Sequence, residues 1–314
     1  MLRFADELRV LRVRKIGTIA AAAPGEPLVA ESSGSDAAII FVHLPKCGGT
    51  TLNRLIEWEY NPLRVFSIDP SFFRWSYCRL SRTPAERFAR IRAFQGHMPF
   101  GLHKLLDRPC RYITVVREPT QREISSYYYA RSRRLNPQHG MAMRMSLEEF
   151  VRAQPNTNVQ TKMLSGLSCD YDFLGGQCTP EMLAAAKRNL ARRFTLAGLT
   201  ERFDEFLALS KILFGWKVRH LVDFNVTRSL QKRNDVAAAA RDLIAERDRY
   251  DMELYDYAAG LFDRILDQHA DAVRAEVENL GHARTLTRFE SIYYRCASAA
   301  RKAISRANSA FLTL

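Results

Sequence analysis

Residues 39–55, IIFVHLPKCGGTTLNRL, decide the fold of this chain of 314 residues. The run Ala37–His43 is continuously apolar and of strand length, which is typical of a central strand that is covered on both faces. Thr50–Tyr60 is predicted to be a helix, because its leucines and isoleucine recur on one face. The loop between strand and helix places two glycines at the helix N-terminus, where unpaired N–H groups and a partial positive charge favour a bound phosphate.

This loop is the first candidate anion site. Its members combine a cation, two glycines that let the backbone approach an anion, and two hydroxyl donors: Lys46, Cys47, Gly48, Gly49, Thr50 and Thr51. The alternative is a plain glycine turn, and the lysine and the threonines favour the anion site over it. The loop is not a Walker A motif, because there the lysine directly precedes the hydroxyl residue.

A second candidate anion site lies in residues 115–134, VVREPTQREISSYYYARSRR. Tyr112–Val116 is predicted to be a strand, and Arg117 follows it, at the edge where an open α/β sheet binds ligands. On the next predicted helix, about Thr120–Arg134, Arg122 and Ser125 are spaced to share a face. Arginine with serine near a helix start is typical of a phosphate clamp. We therefore assign Arg117 and Ser125 to the site, and Arg131, Arg133 and Arg134 to a solvated face.

The position of Arg117 also bears on metal use. A nucleotide hydrolase often has an acid at the end of this strand to hold Mg²⁺. Here the residue is an arginine, so protein cations rather than a metal are expected to neutralise the bound phosphate.

Composition restricts the class of protein without choosing a function. Apolar residues make up 47% of the chain and charged residues 26%, as in a globular protein. Forty-seven lysines and arginines against 34 acids give a formal charge of +13, which predicts an anionic partner. None of the six cysteines is arranged as CxxC or with zinc-finger spacing, so free thiols in a reducing compartment are expected. The sequence contains no apolar run of about 18 residues, so no transmembrane helix is expected.

Predicted strands alternate with predicted helices, which favours an α/β fold with an open parallel sheet flanked by helices and a helical C-terminal part. Thr83–Glu86 reads as a capping box that opens a helix, and so does Ser146–Glu149. We divide the chain into a basic N-terminal segment and flexible linker at 1–36, a domain at 37–283 and a basic helical tail at 284–314.

The two motifs together, HLPKCGGTTL and VVREPTQREISSYYY, resemble those of the P-loop, PAPS-dependent sulfotransferases. The resemblance is strongest to the carbohydrate enzymes of the uronyl 2-O-sulfotransferase branch and their bacterial relatives. It spans roughly residues 38–260 and includes the segment 194–216, FTLAGLTERFDEFLALSKILFGW. It implies a P-loop NTPase-like sulfotransferase fold and transfer of a sulfuryl group from 3′-phosphoadenosine 5′-phosphosulfate (PAPS), without a metal, to leave adenosine 3′,5′-bisphosphate (PAP).

The resemblance also implies roles for individual residues. The loop Lys46–Thr51 would grip the 5′-phosphosulfate, and Lys46 would stabilise the leaving phosphate. Arg117, with Ser125 eight residues later, would grip the 3′-phosphate. The chain departs from the family at Cys47, where threonine or another small residue is frequent, although the backbone N–H can still donate. Thr200-Glu201-Arg202 could border the adenosine, and helix capping by Thr200 is an equal alternative.

Transfer to a hydroxyl needs a general base, and histidine is the natural candidate. We select His97, in FQGHMPFG at a predicted strand end, where the family carries a Gly-His as its base. His43 and His103 are the alternatives: the first would pack or orient the loop, and the second would lie at the surface.

The sequence does not name the acceptor, which is expected to be a hydroxyl of a carbohydrate, glycolipid or other glycoconjugate. Arg74, Trp75, Tyr77 and Arg79 would suit an acidic glycan or a local core. A kinase-like phosphotransferase and a non-enzymatic polyanion binder are the alternative functions. No nucleic-acid motif is present. The expected location is the cytoplasm, with the basic tails able to contact the inner face of a membrane.

Overall fold

The computed structural model describes residues 37–68, 83–106, 108–166, 176–217, 238–283 and 288–312. Its centre is one parallel five-stranded sheet with the strand order β2-β3-β1-β4-β5. The strands are β1 Ala38–Val42, β2 Val65–Ile68, β3 Ala93–Gly96, β4 Cys110–Val116 and β5 Phe194–Leu199. Every residue of β1 is buried, as its continuous apolar run predicts.

The helices of the described residues lie between and after these strands. In the first half of the chain they are α1 Gly49–Glu59, α2 Ala85–Phe88, α3 Pro119–Ser132, α4 His139–Arg144 and α5 Leu147–Ala153. They continue as α6 Val159–Ser165, α7 Pro180–Arg193, α8 Phe203–Phe214, α9 Ala238–Arg247, α10 Arg249–Gln268, α11 Ala270–Ala283 and α12 Arg288–Leu312. The predicted α/β fold, an open parallel sheet flanked by helices with a helical C-terminal part, is confirmed. Among the described helices, none combines the length and apolar character needed to cross a bilayer.

The strand order fixes where ligands can bind. From β1 the chain moves outward to β2, returns to β3, and then crosses to β4 on the other side of β1. The strand order therefore reverses beside β1, and open α/β sheets bind ligands at the carboxyl ends of the strands at such a point. Both predicted anion motifs follow strands that end there: β1 and β4 pair directly, with Val42 opposite Thr114.

Of the two predicted capping boxes, one is confirmed. Ser146 accepts from the backbone N–H of Glu149, whose carboxylate accepts from the N–H of Ser146. The other prediction is wrong, because α2 begins one residue later than expected, with Pro84 rather than Thr83 at its N-cap.

The C-terminal helix differs most from its predicted place. We set residues 284–314 apart as a tail, whereas α12 packs on β2, the edge strand of the sheet. The N–H of Ser67 donates to Oγ of Ser309 over 2.7 Å, and Oγ of Ser305 donates to the carbonyl of Val65 over 3.1 Å. These hydroxyls pair backbone groups that an edge strand otherwise presents to solvent. Charge pattern alone showed the basic residues of this helix but not its buried serine stripe.

A substitution of Ser305 tests whether α12 is part of the folded domain. Ser305→Val removes the hydroxyl that donates to the Val65 carbonyl and lies 2.8 Å from the hydroxyl of Ser67. We expect the free energy of unfolding to fall by about 1–3 kcal/mol in denaturant titrations. Ala303→Val, on the exposed side of the same helix, should change it by no more than about 0.5 kcal/mol. Equal effects of the two variants would show that α12 does not stabilise the sheet.

Candidate functional site

The loop after β1 turns sharply before α1 begins. Lys46 and Gly48 both have left-handed backbones, with φ of 68° and 75°. Gly48 is the N-cap of α1, and no side chain caps this helix end. The first N–H groups of α1 therefore lie at the loop without a side-chain acceptor from the cap position, which is the arrangement that attracts phosphates to helix N-termini.

Gly49 is needed for a different reason: there is no room for a side chain between position 49 and the ring of His43. A Cβ atom at position 49 would lie 2.1 Å from Cδ2 of the His43 ring. That ring is stacked between Phe41, at 5.4 Å between centroids, and His97, at 4.1 Å. The glycine thus lets the helix start pack directly on an aromatic stack that ends at the predicted base.

The two predicted anion motifs meet in the structure. Arg117 follows β4 and its Nη1 donates to the backbone carbonyl of Lys46 over 2.8 Å. The Lys46 ammonium lies 3.7 Å from the ring centroid of Tyr129, on α3. Tyr129 is one turn beyond the buried Ser125 on the same helix, so the two residues share a face. Lys46 and Arg117 are thus in contact, and α3 carries Ser125 on the face that Tyr129 presents to Lys46.

Arg122 does not join them. We predicted that it could share the site-facing side of α3, but its buried guanidinium is paired with Glu123 and lies 3.6 Å from Asp248. The local sequence gives no sign of this pairing, because Asp248 is distant from Arg122 along the chain. Arg133 and Arg134 are exposed, as predicted, while Arg131 is half-buried and donates to the Ala142 carbonyl.

His97 lies directly after β3, and its contacts show which ring nitrogen carries the proton. Its Nδ1 is 2.7 Å from the backbone carbonyl of His43. A carbonyl only accepts hydrogen bonds, so Nδ1 carries the proton and Nε2 of the neutral ring holds a lone pair. The main chain therefore orients the ring of His97 and fixes which of its nitrogens carries the proton.

The two alternative histidines have structural partners. His43 is buried, its Nδ1 lies 3.2 Å from Nδ2 of Asn53, and burial holds its pKa well below the usual value. His103 is not the surface residue that we expected: its Nδ1 is 2.8 Å from the hydroxyl of Tyr112, near the start of β4, and burial lowers its pKa to about 4. That end of β4 is opposite the end that leads to Arg117.

Two polar residues near Arg117 have roles that sequence reasoning did not settle. The hydroxyl of Thr200 donates to the Val116 carbonyl over 3.0 Å, so it joins β5 to β4 instead of capping a helix. Glu201 lies 3.9 Å from Nε of Arg117 and accepts from the hydroxyl of Tyr255 over 3.2 Å. The segment Thr200–Arg202 therefore borders the second anion motif.

Gln160, on α6, was missed altogether. Its side chain bonds to both the N–H and the carbonyl of Arg117 and accepts from the thiol of Cys47. The only local sign in the sequence is a polar residue in the segment 158–165, which is predicted to be helical, and this gives no reason to connect it with either motif. Burial raises the pKa of the Cys47 thiol to about 12, so the thiol stays protonated and donates.

Other predictions concern residues that the structure does not cover. Arg74, Trp75, Tyr77 and Arg79, proposed for the acceptor side, lie outside the described residues. Within the described ranges, no group of three or more His, Cys, Asp or Glu side chains is arranged to hold a metal ion.

One family model matches most of the chain, and the relatives found by sequence are also sulfotransferases. The sequence model described as galactose-3-O-sulfotransferase matches residues 61–306. Heparan sulfate 2-O-sulfotransferase hst-2 of Caenorhabditis elegans is 22% identical over 271 residues, covering 75% of this chain and 81% of that protein. Human heparan-sulfate 6-O-sulfotransferase 1 is 27% identical over 285 residues, covering 73% of this chain and 66% of that protein. The family match begins after the glycine loop, so the role of the loop rests on its geometry.

A solved structure, mouse sulfotransferase SULT7A1 complexed with PAP, overlaps 79% of this chain and 89% of its own. The sequence identity is 14% and the TM-score is 0.34, so this overlap supports no argument about the site.

The close packing at Gly49 can be tested by a double-mutant cycle. Gly49→Ala should lower the free energy of unfolding by about 1–3 kcal/mol, because the new methyl group overlaps the His43 ring. In a His43→Ala background the same change should have a much smaller effect in denaturant titrations. Gly260→Ala is the control, since the nearest atom to its Cβ is 3.9 Å away. An unchanged effect of Gly49→Ala without the ring would contradict the packing argument.

Proposed function

The chain belongs to the galactose-3-O-sulfotransferase family, and we propose that the loop after β1 and the end of β4 hold its PAPS donor. It is a PAPS-dependent O-sulfotransferase that moves a sulfuryl group to a carbohydrate. The observation that carries the proposed site is the hydrogen bond from Arg117 to the Lys46 carbonyl, because it joins the two anion motifs. A doubly phosphorylated nucleotide needs two such sites at a fixed separation.

In the proposed site, each end of the donor has its own cations and donors. The helix start at Gly49 with Thr50 and Thr51 would bind the 5′-phosphosulfate, with the backbone N–H of Cys47 and the left-handed Gly48 beside it. Arg117 and Ser125 would bind the 3′-phosphate, by a charge-assisted bond and a hydroxyl bond. The half-exposed Glu201 would limit the guanidinium to one side of the pocket, because it lies 3.9 Å from Nε.

The proposed reaction is an in-line displacement at sulfur. The acceptor oxygen forms a bond to sulfur while the bond from sulfur to the 5′-phosphate oxygen breaks, so PAP leaves with the electron pair. Lys46 would stabilise the negative charge that develops on the leaving phosphate. Nε2 of His97 would accept the proton of the acceptor hydroxyl, since Nδ1 is committed to the His43 carbonyl.

The acceptor is proposed to be a sugar hydroxyl of an acidic or galactose-containing glycan or glycolipid. The name of the family specifies galactose, and the names of both relatives specify heparan sulfate. A formal charge of +13 would favour an acidic polymer by long-range attraction. A cytoplasmic location stays a prediction, and so does contact of the basic residues of the N-terminal segment and of α12 with a membrane.

Nucleotide binding tests the proposed donor site, and it would also expose the two alternative functions named from the sequence. Isothermal titration calorimetry should show binding of PAP and much weaker binding of ATP with Mg²⁺. Arg117→Gln should weaken PAP binding about 10–100-fold, because a charge-assisted hydrogen bond is lost. Arg134→Gln should have little effect, because Arg134 is an exposed arginine just beyond the end of α3. Preferred binding of ATP would support a phosphotransferase, and binding of polyanions without PAP would support a non-enzymatic binder.

Replacement of His97 tests the base. With labelled PAPS and a panel of galactose- and uronate-containing glycans, His97→Ala should reduce kcat about 100–10,000-fold, the usual contribution of a general base. PAP affinity should be retained, because His97 is not among the proposed donor ligands. His103→Gln should keep kcat within a few-fold of the parent. Unchanged turnover in His97→Ala would remove this residue from the mechanism.

A further inference from the structure

Gln160 is a buried polar link between the two proposed donor clamps. It lies in the first turn of α6 and is 1% exposed. Its position is fixed from outside the site, since the N–H groups of Gln160 and Thr161 donate to the two carboxylate oxygens of Asp251 over 3.1 and 2.7 Å.

The start of α6 and the start of α10 cap each other. Oδ1 of Asn158, the N-cap of α6, accepts from the N–H groups of Tyr250 and Asp251 on α10. In return, Asp248 accepts from the N–H of Asn158. Two helix ends are thereby joined by buried hydrogen bonds, which leaves the backbone of Gln160 little freedom to move.

The amide side chain continues the hydrogen-bond ladder of the sheet. The last paired residue of β4 is Val116, opposite Leu199, so Arg117 lies just beyond the ladder. Oε1 of Gln160 accepts from the N–H of Arg117 over 2.9 Å, and Nε2 donates to its carbonyl over 2.8 Å. The amide therefore bonds to both backbone groups of Arg117, as a neighbouring strand would.

The same oxygen reaches the first clamp. The thiol of Cys47 donates to Oε1 of Gln160 over 3.4 Å, a contact weaker than the two bonds to Arg117. One side chain thus touches the loop proposed for the 5′ end and the arginine proposed for the 3′ end.

We propose that Gln160 is a positioning residue that orients Arg117 against the glycine loop and so provides discrimination for the 3′-phosphate of the donor. The proposal rests on the function proposed above, in which Arg117 binds that phosphate. Because its bonds to Arg117 are stronger than its bond to Cys47, its loss should affect the 3′ end more than the 5′ end.

The test compares affinities for PAP and for adenosine 5′-monophosphate, which lacks the 3′-phosphate. Gln160→Met keeps the length of the side chain but removes its hydrogen bonds. It should reduce the ratio of the two affinities about tenfold, measured by calorimetry on the full chain. A merely structural role would lower the amount of folded protein and leave this ratio unchanged. Gln160→Asn, which retains an amide but is one methylene shorter, should act in the same direction and remains available if the Met variant fails to fold.

Asn189→Leu is the matched control. Nδ2 of Asn189 donates to the carbonyls of Leu164 and Ser165, at the other end of α6. It should leave the ratio within about twofold of the parent. Folded Gln160 variants that keep the parental ratio would overturn the inference. If Arg117→Gln also keeps the ratio, or the parent shows no preference for PAP, then the proposed donor site itself fails.

Discussion

The hydrogen bond from Arg117 to the carbonyl of Lys46 is the contact on which the proposed site depends. It exists because β1 and β4 are neighbours in a parallel sheet, so that their carboxyl ends open onto the same edge. Residues 71 positions apart along the chain are thereby brought within 2.8 Å. A carbonyl that accepts from the guanidinium also fixes the direction of the loop, whose lysine has an unfavourable left-handed backbone.

Behind that contact lies a buried polar layer rather than an apolar core. Arg122, Glu123, Asp248 and Asp251 are all at most 6% exposed. Burial raises the pKa of Asp251 to about 6, while Arg122 and the N–H of Thr161 act to lower it. Removing one partner of a buried ion pair leaves the other charge buried and unpaired. That loss destabilises the protein by far more than the intact pair stabilises it. The layer therefore restricts α3, α6 and α10 to one mutual arrangement.

Local patterns predicted those parts of the fold and site whose cause is local. β1 is a continuous apolar run, and β4 is rich in β-branched and aromatic residues; both patterns are typical of strands inside a sheet. Lys46 and Arg117 could be proposed from the sequence because a glycine loop and a strand end have recognisable surroundings, and Ser125 from its spacing after Arg117; their contact with the donor stays a proposal. Gln160 could not be proposed in this way, because its partners are 43 and 113 residues away and its helix shows no unusual pattern. The serine stripe of α12 was missed for the same reason, since its partners on β2 are about 240 residues away.

The role of Gln160 also explains how the loop tolerates Cys47. The side chain at this position points into the protein, toward the amide of Gln160, and is only 1% exposed. A threonine hydroxyl could donate to the same oxygen, so either residue satisfies the buried acceptor. The proposed contact with the donor needs only the backbone N–H at position 47, which both residues supply. The departure from the family pattern therefore changes the support beneath the loop and leaves the proposed phosphate contacts in place.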